Sequence, residues 1–450
     1  MPRSMFRCWR TVLACATLIA LLSVAWNLKH PLLYGWRSCE TAFLLAVAVL
    51  GGSATRFCRL SGRCSSSRRR VLGCGMLALA TLTVGRELEF QFDRQRVLAG
   101  GREMQAVGRH FIVGFRTLEE VEALAVGGLI GGFYLTRRNL WAGNVATLAA
   151  GITRLQNLRR AAGLPPLIVA ADQEGGAVAH LSPWLERLPA LSSLVHEASP
   201  ATLAVRARRY GERQGRALAA LGVNLNLAPV VDLRPAQPDS AVDFLTRIGD
   251  RAIDDDPVVV SEVARAYVEG LAGAGVGATL KHFPGLARVR ADTHWRRATL
   301  VASIDELRSD WQPFRNVSAG TCAAIMLGHV VLPMVDPEHA VSHSRDVVQT
   351  ILRQQWNYQG VLITDDLNMG AVYNQGIGRV AAQSLAAGVD LVLVSYDPDQ
   401  YFRAITRAAQ ALASGEIDPA MLQASSRRLQ QFGPGSPCRA SLFTAQCEPG

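Results

Sequence analysis

Residues 278–285 carry the pattern that decides the fold, and they read Ala278-Thr279-Leu280-Lys281-His282-Phe283-Pro284-Gly285. The stretch begins as a short apolar strand, reaches a lysine and a histidine, and stops at a Pro-Gly turn. Charged side chains are rarely fully buried unless they are paired or face a pocket. The pattern therefore favours a buried strand whose carboxyl end faces a polar site, although a satisfied Lys–His pair in the core stays open from this stretch alone.

Seven further apolar segments resemble this strand and are separated from one another by segments of helical length. The eight predicted strands are Phe111–Phe115, Gly131–Leu135, Leu167–Asp172, Val223–Val231, Ala278–His282, Ala323–His329, Val361–Asp365 and Leu391–Ser395. Pro257–Gly273 and Val347–Trp356 are typical of the helices between them. Continuous apolar strands alternating with helices predict an α/β fold with a parallel sheet, most simply a single (β/α)8 barrel. A doubly wound sheet is the alternative, but no Gly-x-Gly-x-x-Gly follows the first strand.

Titratable side chains occur at the carboxyl ends of five predicted strands. They are Asp172, Asp232, Lys281, His282, His329 and Asp365. A single aspartate after a strand is usually a helix cap, but barrel active sites are assembled from the ends of several strands. Lysine usage supports a site as well, because the chain has 45 arginines and two lysines, Lys29 and Lys281. We therefore predict a functional site at the carboxyl end of the barrel.

The net charge of +10 on 450 residues would by itself suggest a nucleic-acid partner. Residues 1–100 hold 14 Lys and Arg against 4 Asp and Glu, whereas residues 101–450 hold 33 of each. The body is therefore electrically balanced, and we expect no nucleic-acid partner. A hydrophobic content of 49% also excludes a disordered protein.

The basic N-terminal region contains three apolar runs, Thr11–Trp26, Thr41–Gly52 and Val71–Val84. A spanning helix needs about 20 apolar residues, so the last two runs can span a membrane only if their flanking residues are included. The alternatives are a buried core helix for each run and a cleaved signal peptide for the first. Six arginines and no acid lie between the second and third runs, which places that loop in the cytoplasm. We predict up to three transmembrane helices in a bacterial inner (cytoplasmic) membrane. One or three spans place the body outside the cytoplasm, and two place it inside; the charge asymmetry favours a body outside the cytoplasm.

Nine cysteines are present, six of them in the first hundred residues. We interpret Cys322, just before an apolar strand, as a small core residue. Cys438 and Cys447 lie in a polar C-terminal tail and could pair in an oxidising compartment. No zinc-type spacing occurs. The predicted organisation is a membrane region at 1–96, a barrel at 97–432 and a tail at 433–450.

Several motifs of the body resemble glycoside hydrolase family 3, in particular its bacterial β-N-acetylglucosaminidases. They are Asp172-Gln173-Glu174-Gly175-Gly176, Asn224 to Asp232, Gly249-Asp250-Arg251, Lys281 to Gly285, Asp292-Thr293-His294, Gly328-His329 and Ile363 to Met369. They follow the family order over roughly residues 105–415. The resemblance implies the barrel fold, β-N-acetylhexosaminidase activity and no cofactor or metal.

The resemblance also implies roles for individual residues. Asp365 matches the nucleophile that forms a covalent glycosyl-enzyme, and Asp366 is its rival. His294 matches the general acid/base, with Asp292 as its partner. The residues matching those that hold the hydroxyls of the terminal sugar are Asp172, Arg251, Lys281 and His282.

The residue types suit this chemistry. A retaining glycosidase needs a carboxylate nucleophile and a second group that donates and then accepts a proton. A histidine can be that second group, and a neighbouring aspartate would orient its ring and stabilise the imidazolium. Charged side chains would bind sugar hydroxyls through charge-assisted hydrogen bonds.

The sequence departs from the family pattern at three places. Ala177 and His180 replace two arginines of Gly-Gly-Arg-Val-x-Arg, Leu286 and Ala287 follow Gly285 in place of His-Gly, and Thr293 replaces a serine. We expect a membrane-anchored, retaining exo-β-N-acetylglucosaminidase that acts on cell-wall or related glycans containing N-acetylglucosamine. The alternatives are a catalytically weakened glycan-binding barrel in an envelope assembly, and a phosphorylase or transglycosidase. The sequence leaves the acceptor, the natural glycan and the oligomeric state open.

Overall fold

The computed structural model describes residues 3–60, 66–141, 144–236, 246–289 and 291–432. The chain forms two compact units, Met1–Arg96 and Val97–Gly450. Cys438, Cys447 and the rest of the predicted tail lie outside the described residues.

The first unit contains three helices, α1 (Arg3–Trp26), α2 (Glu40–Leu60) and α3 (Ser66–Leu98), and a 3₁₀ turn at Pro31–Trp36. Each of the three apolar runs lies in one of these helices. Their contacts form a small core of Ala25, Leu28, Leu44, Ala48 and Leu79. By length and composition, the segment Arg70–Leu98 could cross a membrane, and Val12–Trp26 is a shorter apolar helix.

A buried group of charges joins the α1–α2 connection to α3. Lys29 Nζ lies 3.1 Å from Glu40 Oε1 and 3.0 Å from Glu87 Oε2. Arg37 pairs with Glu40 at 3.0 Å, and Thr41 Oγ1 donates to Glu87 at 2.8 Å. These contacts place the α1–α2 connection and residue 87 of α3 at one end of the unit.

The second unit is a closed barrel of eight parallel strands in sequential order. The strands are Phe111–Val113, Gly132–Leu135, Ile168–Ala171, Leu225–Asn226, Gly277–Phe283, Ala324–Leu327, Leu362–Asp366 and Leu391–Val394. All eight predicted strands and the predicted barrel are therefore confirmed. The fourth strand is much shorter than the predicted Val223–Val231, although Val230 still bridges to Lys281.

The strands are apolar along their whole length because both of their faces are buried. Alternate side chains fill the interior of the barrel, such as Ile112, or pack under the surrounding helices, such as Phe111 and Val113. The described helices of this unit are Arg102–Gly108, Leu118–Val126, Arg137–Trp141, Val145–Ala161, Ser192–Glu197, Pro200–Ala220, Ile248–Arg251, Pro257–Gly273, Ile304–Ser318, Gly370–Tyr373, Ile377–Ala387, Gln400–Ala413 and Pro419–Phe432. A π-helix covers Asp346–Gln355, where we predicted a helix at Val347–Trp356.

Helix boundaries follow local capping chemistry. Pro257–Gly273 begins at the predicted residue because Asp256 accepts a hydrogen bond from the Val258 amide at 2.7 Å, and Pro257 occupies the first turn. A capping box formed by Ser303 and Glu306 starts Ile304–Ser318.

Two small sheets add to the barrel ends. An antiparallel pair, Gln173–Gly175 with Val178–Ala179, follows the third barrel strand. The three-stranded sheet comprises Ala298–Thr299, Val330–Leu332 and Asp336–Ala340, and a 3₁₀ turn follows at Val341–His343. Both sheets extend segments that leave the carboxyl ends of barrel strands, where the candidate site lies.

Cys322 differs from the prediction. It is partly exposed, and it is disulfide-bonded. The interpretation of this cysteine as a small core residue is therefore wrong. Its position explains the difference, because Cys322 precedes the sixth barrel strand and lies outside the interdigitated core.

Candidate active site

Four charged side chains form one connected network at the carboxyl ends of the third and fifth barrel strands. Lys281 Nζ lies 2.7 Å from Asp172 Oδ1 and 2.6 Å from Glu174 Oε1. Arg251 binds both oxygens of Glu174, at 2.9 Å from Nε and 2.6 Å from Nη2. The structure thus brings the predicted residues Asp172, Arg251 and Lys281 together through Glu174, to which the sequence analysis gave no role.

Glu174 is buried, and its ionisation depends on its partners. Burial raises the pKa of Glu174, but the charges of Arg251 and Lys281 and their hydrogen bonds outweigh burial and hold the pKa well below its usual range. Asp172 is more exposed, at 18% of its side chain against 8% for Glu174. Asp172 can therefore accept hydrogen bonds from a ligand, while Glu174 fixes the two cations in place.

His282 is oriented by a second buried carboxylate. Its Nδ1 lies 2.7 Å from Asp232 Oδ2, and the same oxygen accepts the His282 backbone N–H at 3.0 Å. The other oxygen, Oδ1, accepts the Leu286 amide at 2.8 Å, so Asp232 also fixes the turn after Pro284. A carboxylate can only accept, so His282 Nδ1 is the donor, and Nε2 lies 3.5 Å from Arg251 Nη2. Asp232 was predicted at a strand end but without this role.

Asp365 and Asp366 end the seventh barrel strand and have different partners. Asp366 accepts from Asn368, Ser395 and Tyr396 through both of its oxygens, at 2.7–3.1 Å. The described partner of the Asp365 carboxylate is the Asp366 amide, 2.8 Å from Oδ1. Asp366 therefore fastens the strand end to the next loop, whereas Asp365 keeps an oxygen available for chemistry.

Asp365 is surrounded by imidazoles. Burial raises its pKa, but the charge of nearby histidines, His282 first, and the Asp366 amide outweigh burial and lower the pKa below the usual 3.8. His294 contributes to the same field. His329, which ends the sixth strand region, binds the Asp366 carbonyl oxygen at 3.0 Å through Nε2 and Ser342 Oγ at 2.8 Å through Nδ1. These interactions bring the predicted strand-end residues into one cluster.

The predicted dyad is formed on the loop after the fifth strand. His294 Nδ1 lies 2.9 Å from Asp292 Oδ1, and that oxygen also accepts the His294 amide at 2.9 Å. Asp292 is buried, while the His294 side chain is 37% exposed. The loop rests on the start of the helix Gly370–Tyr373, which follows the seventh strand, since the Gly370 amide donates to the His294 carbonyl oxygen at 2.8 Å. The ring therefore has a fixed Nδ1 side and an accessible Nε2 side.

His180, which is one of the departures from the family pattern, has a close partner in the structure. Tyr134 Oη lies 3.0 Å from His180 Nδ1. Burial, reinforced by the charge of Asp172, raises the pKa of Tyr134, and burial lowers the pKa of His180. A protonated phenol therefore donates to a neutral imidazole beside Asp172. Residue spacing alone gave no signal for this pair, because 46 residues separate the two side chains.

Among the described residues, no group of three or more His, Cys, Asp and Glu side chains is arranged to hold a metal ion. What the pocket does contain is an ionised carboxylate, a His–Asp pair and a charge network suited to hydroxyl groups. On a closed parallel barrel, this combination is the site of a barrel glycosidase.

Comparison with known proteins assigns the family. The model of the glycosyl hydrolase family 3 N-terminal domain matches residues 102–432. The chain therefore belongs to glycoside hydrolase family 3. A beta-hexosaminidase of Xanthomonas campestris pv. campestris (strain B100) is 38% identical over 300 residues, which cover 65% of this chain and 84% of that protein. A beta-hexosaminidase of Nitrosomonas eutropha is 36% identical over 289 residues, 63% of this chain and 79% of the relative.

Solved structures lead to the same assignment. A family 3 β-N-acetylglucosaminidase from Paenibacillus sp. str. FPU-7 matches with a TM-score of 0.67 and 29% identity, over 77% of this chain and 64% of that one. The β-N-acetylhexosaminidase from Beutenbergia cavernae matches with a TM-score of 0.65 and 30% identity, over 74% and 98%. This chain is a glycoside hydrolase of the β-N-acetylhexosaminidase type.

Proposed function

We propose that this enzyme removes terminal N-acetylglucosamine from cell-wall or related glycans with retention, through a covalent intermediate on Asp365. The observation that carries the proposal is the contrast at the end of the seventh strand. Asp366 is fully engaged by the next loop, while Asp365 is ionised and has an oxygen left for attack. An ionised carboxylate beside a proton donor is the pair that retaining glycosidases require.

Binding of the terminal sugar comes first. Asp172 and Lys281 present an acceptor and a donor side by side, and Arg251 Nη2 lies 3.5 Å from His282 Nε2. Bonds from ionised groups to hydroxyls are stronger than neutral ones, so this network can fix the ring relative to Asp365.

In the first chemical step, Asp365 attacks the anomeric carbon while the bond to the leaving oxygen breaks. His294 gives its Nε2 proton to that oxygen, and Asp292 stabilises the imidazolium before the transfer. In the second step, neutral His294 takes a proton from water. The water oxygen bonds to the anomeric carbon, and the ester to Asp365 breaks. Two inversions at one carbon give net retention.

The decisive experiment compares two neighbouring carboxylates in the full chain, solubilised in detergent, with a chromogenic N-acetylglucosaminide. Asp365→Asn should lower kcat by roughly 10³-fold or more, because a neutral amide is a poor nucleophile. Asp366→Asn is the matched control; it removes the same charge but should retain far more activity if the protein folds. A fluorinated glycosyl donor that accumulates the intermediate should add its mass to the peptide containing Asp365. Turnover unaffected by Asp365→Asn, or label on another residue, would overturn the proposal.

The acceptor is tested by product analysis. Hydrolysis predicts free N-acetylglucosamine as the product in phosphate buffer. Formation of N-acetylglucosamine phosphate would instead identify a phosphorylase, which a histidine acid/base permits because it does not repel an anionic acceptor as a carboxylate would.

We also propose that the first unit anchors the enzyme in an inner membrane with the barrel outside the cytoplasm. The Lys29–Glu87 contact supports three spans, because it places the α1–α2 connection and the later part of α3 at the same end of the unit. The arginine-rich 56–70 segment would then mark the cytoplasmic side. Reporter fusions after residues 30, 62 and 95 should report outside, inside and outside. A cytoplasmic signal at 95 would contradict this arrangement.

A further inference from the structure

Tyr134 and His180 form a polar pair at the carboxyl end of the barrel, and the proposed reaction gives this pair no part. Tyr134 Oη lies 3.0 Å from His180 Nδ1, and the two rings meet edge to face with centroids 6.5 Å apart. Tyr134 belongs to the second barrel strand and is 6% exposed, while His180 follows the short strand Val178–Ala179 and is partly buried. Barrel sites draw on the ends of several strands, so the second strand can contribute to this one as well.

The hairpin after the third barrel strand places His180 beside Asp172. Its antiparallel register sets Gln173 opposite Ala179, and the backbone N–H of His180 donates to the Asp172 carbonyl oxygen at 3.1 Å. The side chain of Gln173 reinforces the hairpin, because its Oε1 accepts the Leu181 amide at 3.0 Å. The backbone of His180 is therefore fixed relative to one of the sugar-binding residues.

The supply of protons decides which nitrogen of His180 carries its hydrogen. Burial raises the pKa of the Tyr134 phenol, so the phenol keeps its single proton. Among the residues that the structure describes, His180 Nδ1 is the one acceptor for that proton. Burial lowers the pKa of His180, and the charge of Lys281 acts in the same direction while that of Asp172 opposes it. A neutral imidazole has one N–H, and because Nδ1 accepts, that hydrogen lies on Nε2.

This Nε2 donor is open to a ligand. Within the described part of the chain, no group forms a hydrogen bond with His180 Nε2, and the atom is not sealed from solvent. The charges of Asp172 and Glu174 act on the ring, so the donor lies next to the network that is suited to hydroxyl groups. A hydroxyl group both donates and accepts a hydrogen bond. An accepting carboxylate and a donating imidazole side by side therefore match the two halves of one hydroxyl group.

We propose that His180 is a further sugar-binding residue, whose Nε2–H donates to a hydroxyl on the side of the terminal sugar that Asp172 holds, and that Tyr134 is the positioning residue that keeps the hydrogen on Nε2. The inference rests on the proposed function, because it adds one group to those that bind the terminal sugar. Where the family pattern has an arginine, this chain thus presents a single uncharged donor. The substrate class is a terminal N-acetylhexosamine in which this hydroxyl is present and unsubstituted.

The contact is tested with deoxygenated substrates in the full chain. Nitrophenyl N-acetylglucosaminide is compared with its analogues that lack the hydroxyl at C3, C4 or C6. A site built to bind a hydroxyl rejects the analogue without it, and one neutral hydrogen bond corresponds to about a tenfold loss of kcat/KM. In His180→Asn, the loss caused by one of the three deoxygenations should shrink by about fivefold or more, while the other two losses stay as in the wild type. Damage to the fold would instead lower kcat/KM for all four substrates alike.

A conservative variant and a matched control sharpen the test. The amide nitrogen of a glutamine reaches the place of Nε2, whereas that of an asparagine reaches only the place of Nδ1. His180→Gln should therefore keep kcat/KM within about threefold of the wild type, and His180→Asn should lose about tenfold. His196→Asn changes an exposed histidine and should leave kcat/KM unchanged.

The role of Tyr134 is tested by a double-mutant cycle. Tyr134→Phe keeps the ring but frees the tautomer of His180, so we expect KM to rise by a few fold with a smaller change in kcat. In the His180→Asn protein, Tyr134→Phe should add little further loss, because the two residues act through one contact. Additive losses would show that Tyr134 does not act through His180.

Three results would overturn the proposal for His180. They are deoxygenation losses that are the same in His180→Asn as in the wild type at all three positions, a His180→Gln protein no better than His180→Asn, and full activity of His180→Asn on every substrate. Each readout compares substrates or variants, so it does not depend on which carboxylate is the nucleophile. Absence of turnover would overturn the proposed function instead. The affinities of the same proteins for free N-acetylglucosamine and its deoxy analogues, measured by calorimetry, would then still decide the role of His180.

Discussion

Lys281 Nζ and Glu174 Oε1 lie 2.6 Å apart, although 107 positions separate the two residues in the chain. Arg251 binds the same carboxylate, so one buried anion holds a cation of the fifth barrel strand and a cation of the short helix Ile248–Arg251. Removing one partner of a buried ion pair leaves an uncompensated charge, which is more costly than the pair itself is favourable. Glu174 therefore supports the geometry of the sugar site and the stability of the barrel together.

Glu174→Gln should destabilise the protein by about 3–5 kcal/mol and raise KM, because Lys281 and Arg251 lose their shared anion. Urea unfolding and steady-state kinetics measure the two effects. Glu197→Gln is the matched control, since Glu197 pairs with Arg206 on the surface and should contribute little. A Glu174→Gln protein as stable as the control would contradict the role given to this carboxylate.

The pH dependence of kcat/KM should separate the two catalytic groups. The charge of the nearby histidines lowers the pKa of Asp365 below that of an ordinary aspartate, so this nucleophile stays ionised down to a lower pH than an ordinary aspartate would. The acid limb of the profile should accordingly lie below the range in which an ordinary carboxyl group titrates. The alkaline limb of the profile reports the loss of the proton from the proton donor. His294→Ala should remove the alkaline limb and leave the acid limb in place. Loss of activity between pH 6 and 5 in the His294→Ala protein would exclude Asp365 as the group that governs the acid limb.

The loss of rate caused by removing the dyad should depend on the leaving group of the substrate. With a nitrophenyl leaving group, which needs little protonation, His294→Ala should affect the glycosylation step by less than about tenfold. With an alkyl or sugar leaving group, the loss should reach roughly 10²–10⁴-fold. Asp292→Asn should give a smaller loss with the same dependence, because Asp292 acts through the His294 ring. Equal losses for both leaving groups would indicate that His294 is not the proton donor.

Gly370 should be a positioning residue for the dyad loop. A Cβ at residue 370 would lie 2.6 Å from the Trp295 carbonyl oxygen and 2.8 Å from that of His294. Gly370→Ala must displace this backbone, so we expect kcat to fall about tenfold or more with a smaller change in KM. Gly273→Ala is the control, since a Cβ at 273 meets nothing within 4 Å. Unchanged kcat in Gly370→Ala would show that the loop tolerates displacement.

Two buried neutral histidines should make the protein sensitive to acid. Burial lowers the pKa of His110 to about 4 and that of His343 to about 3. The unfolded chain binds a proton near pH 6.5, so the stability contributed by the neutral form is present above pH 6.5 and is lost as the pH falls towards 4. His110 alone should account for about 2 kcal/mol between pH 7 and pH 5. Urea unfolding at both pH values should show a smaller difference in His110→Gln, whereas exposed His196→Gln should behave like the wild type.

The fold was predictable because each barrel strand is an uninterrupted apolar run and each run is followed by a helix-length segment. Burial on both faces leaves that signal even in strands of four residues such as Ile168–Ala171. The fourth strand was overestimated, because the apolar residues of 227–231 are buried without regular pairing along their length. The site was predictable as a set of strand ends, and the roles of its members came from the family motifs.

The sequence by itself determined the parallel barrel, the end of the barrel that carries the site, and the side chains that meet there. These features follow from the order of short apolar strands and helix-length segments, which can be read directly from the sequence. Only the tertiary structure distinguished the carboxylate that has a free oxygen from the carboxylate that is held by hydrogen bonds. Asp365 and Asp366 are neighbours in the same strand, and their hydrogen bonds differ because residues 395 and 396 of the next strand end approach one of them. Glu174 and Asp232 likewise take their roles from partners brought close by folding, which spacing along the chain does not encode.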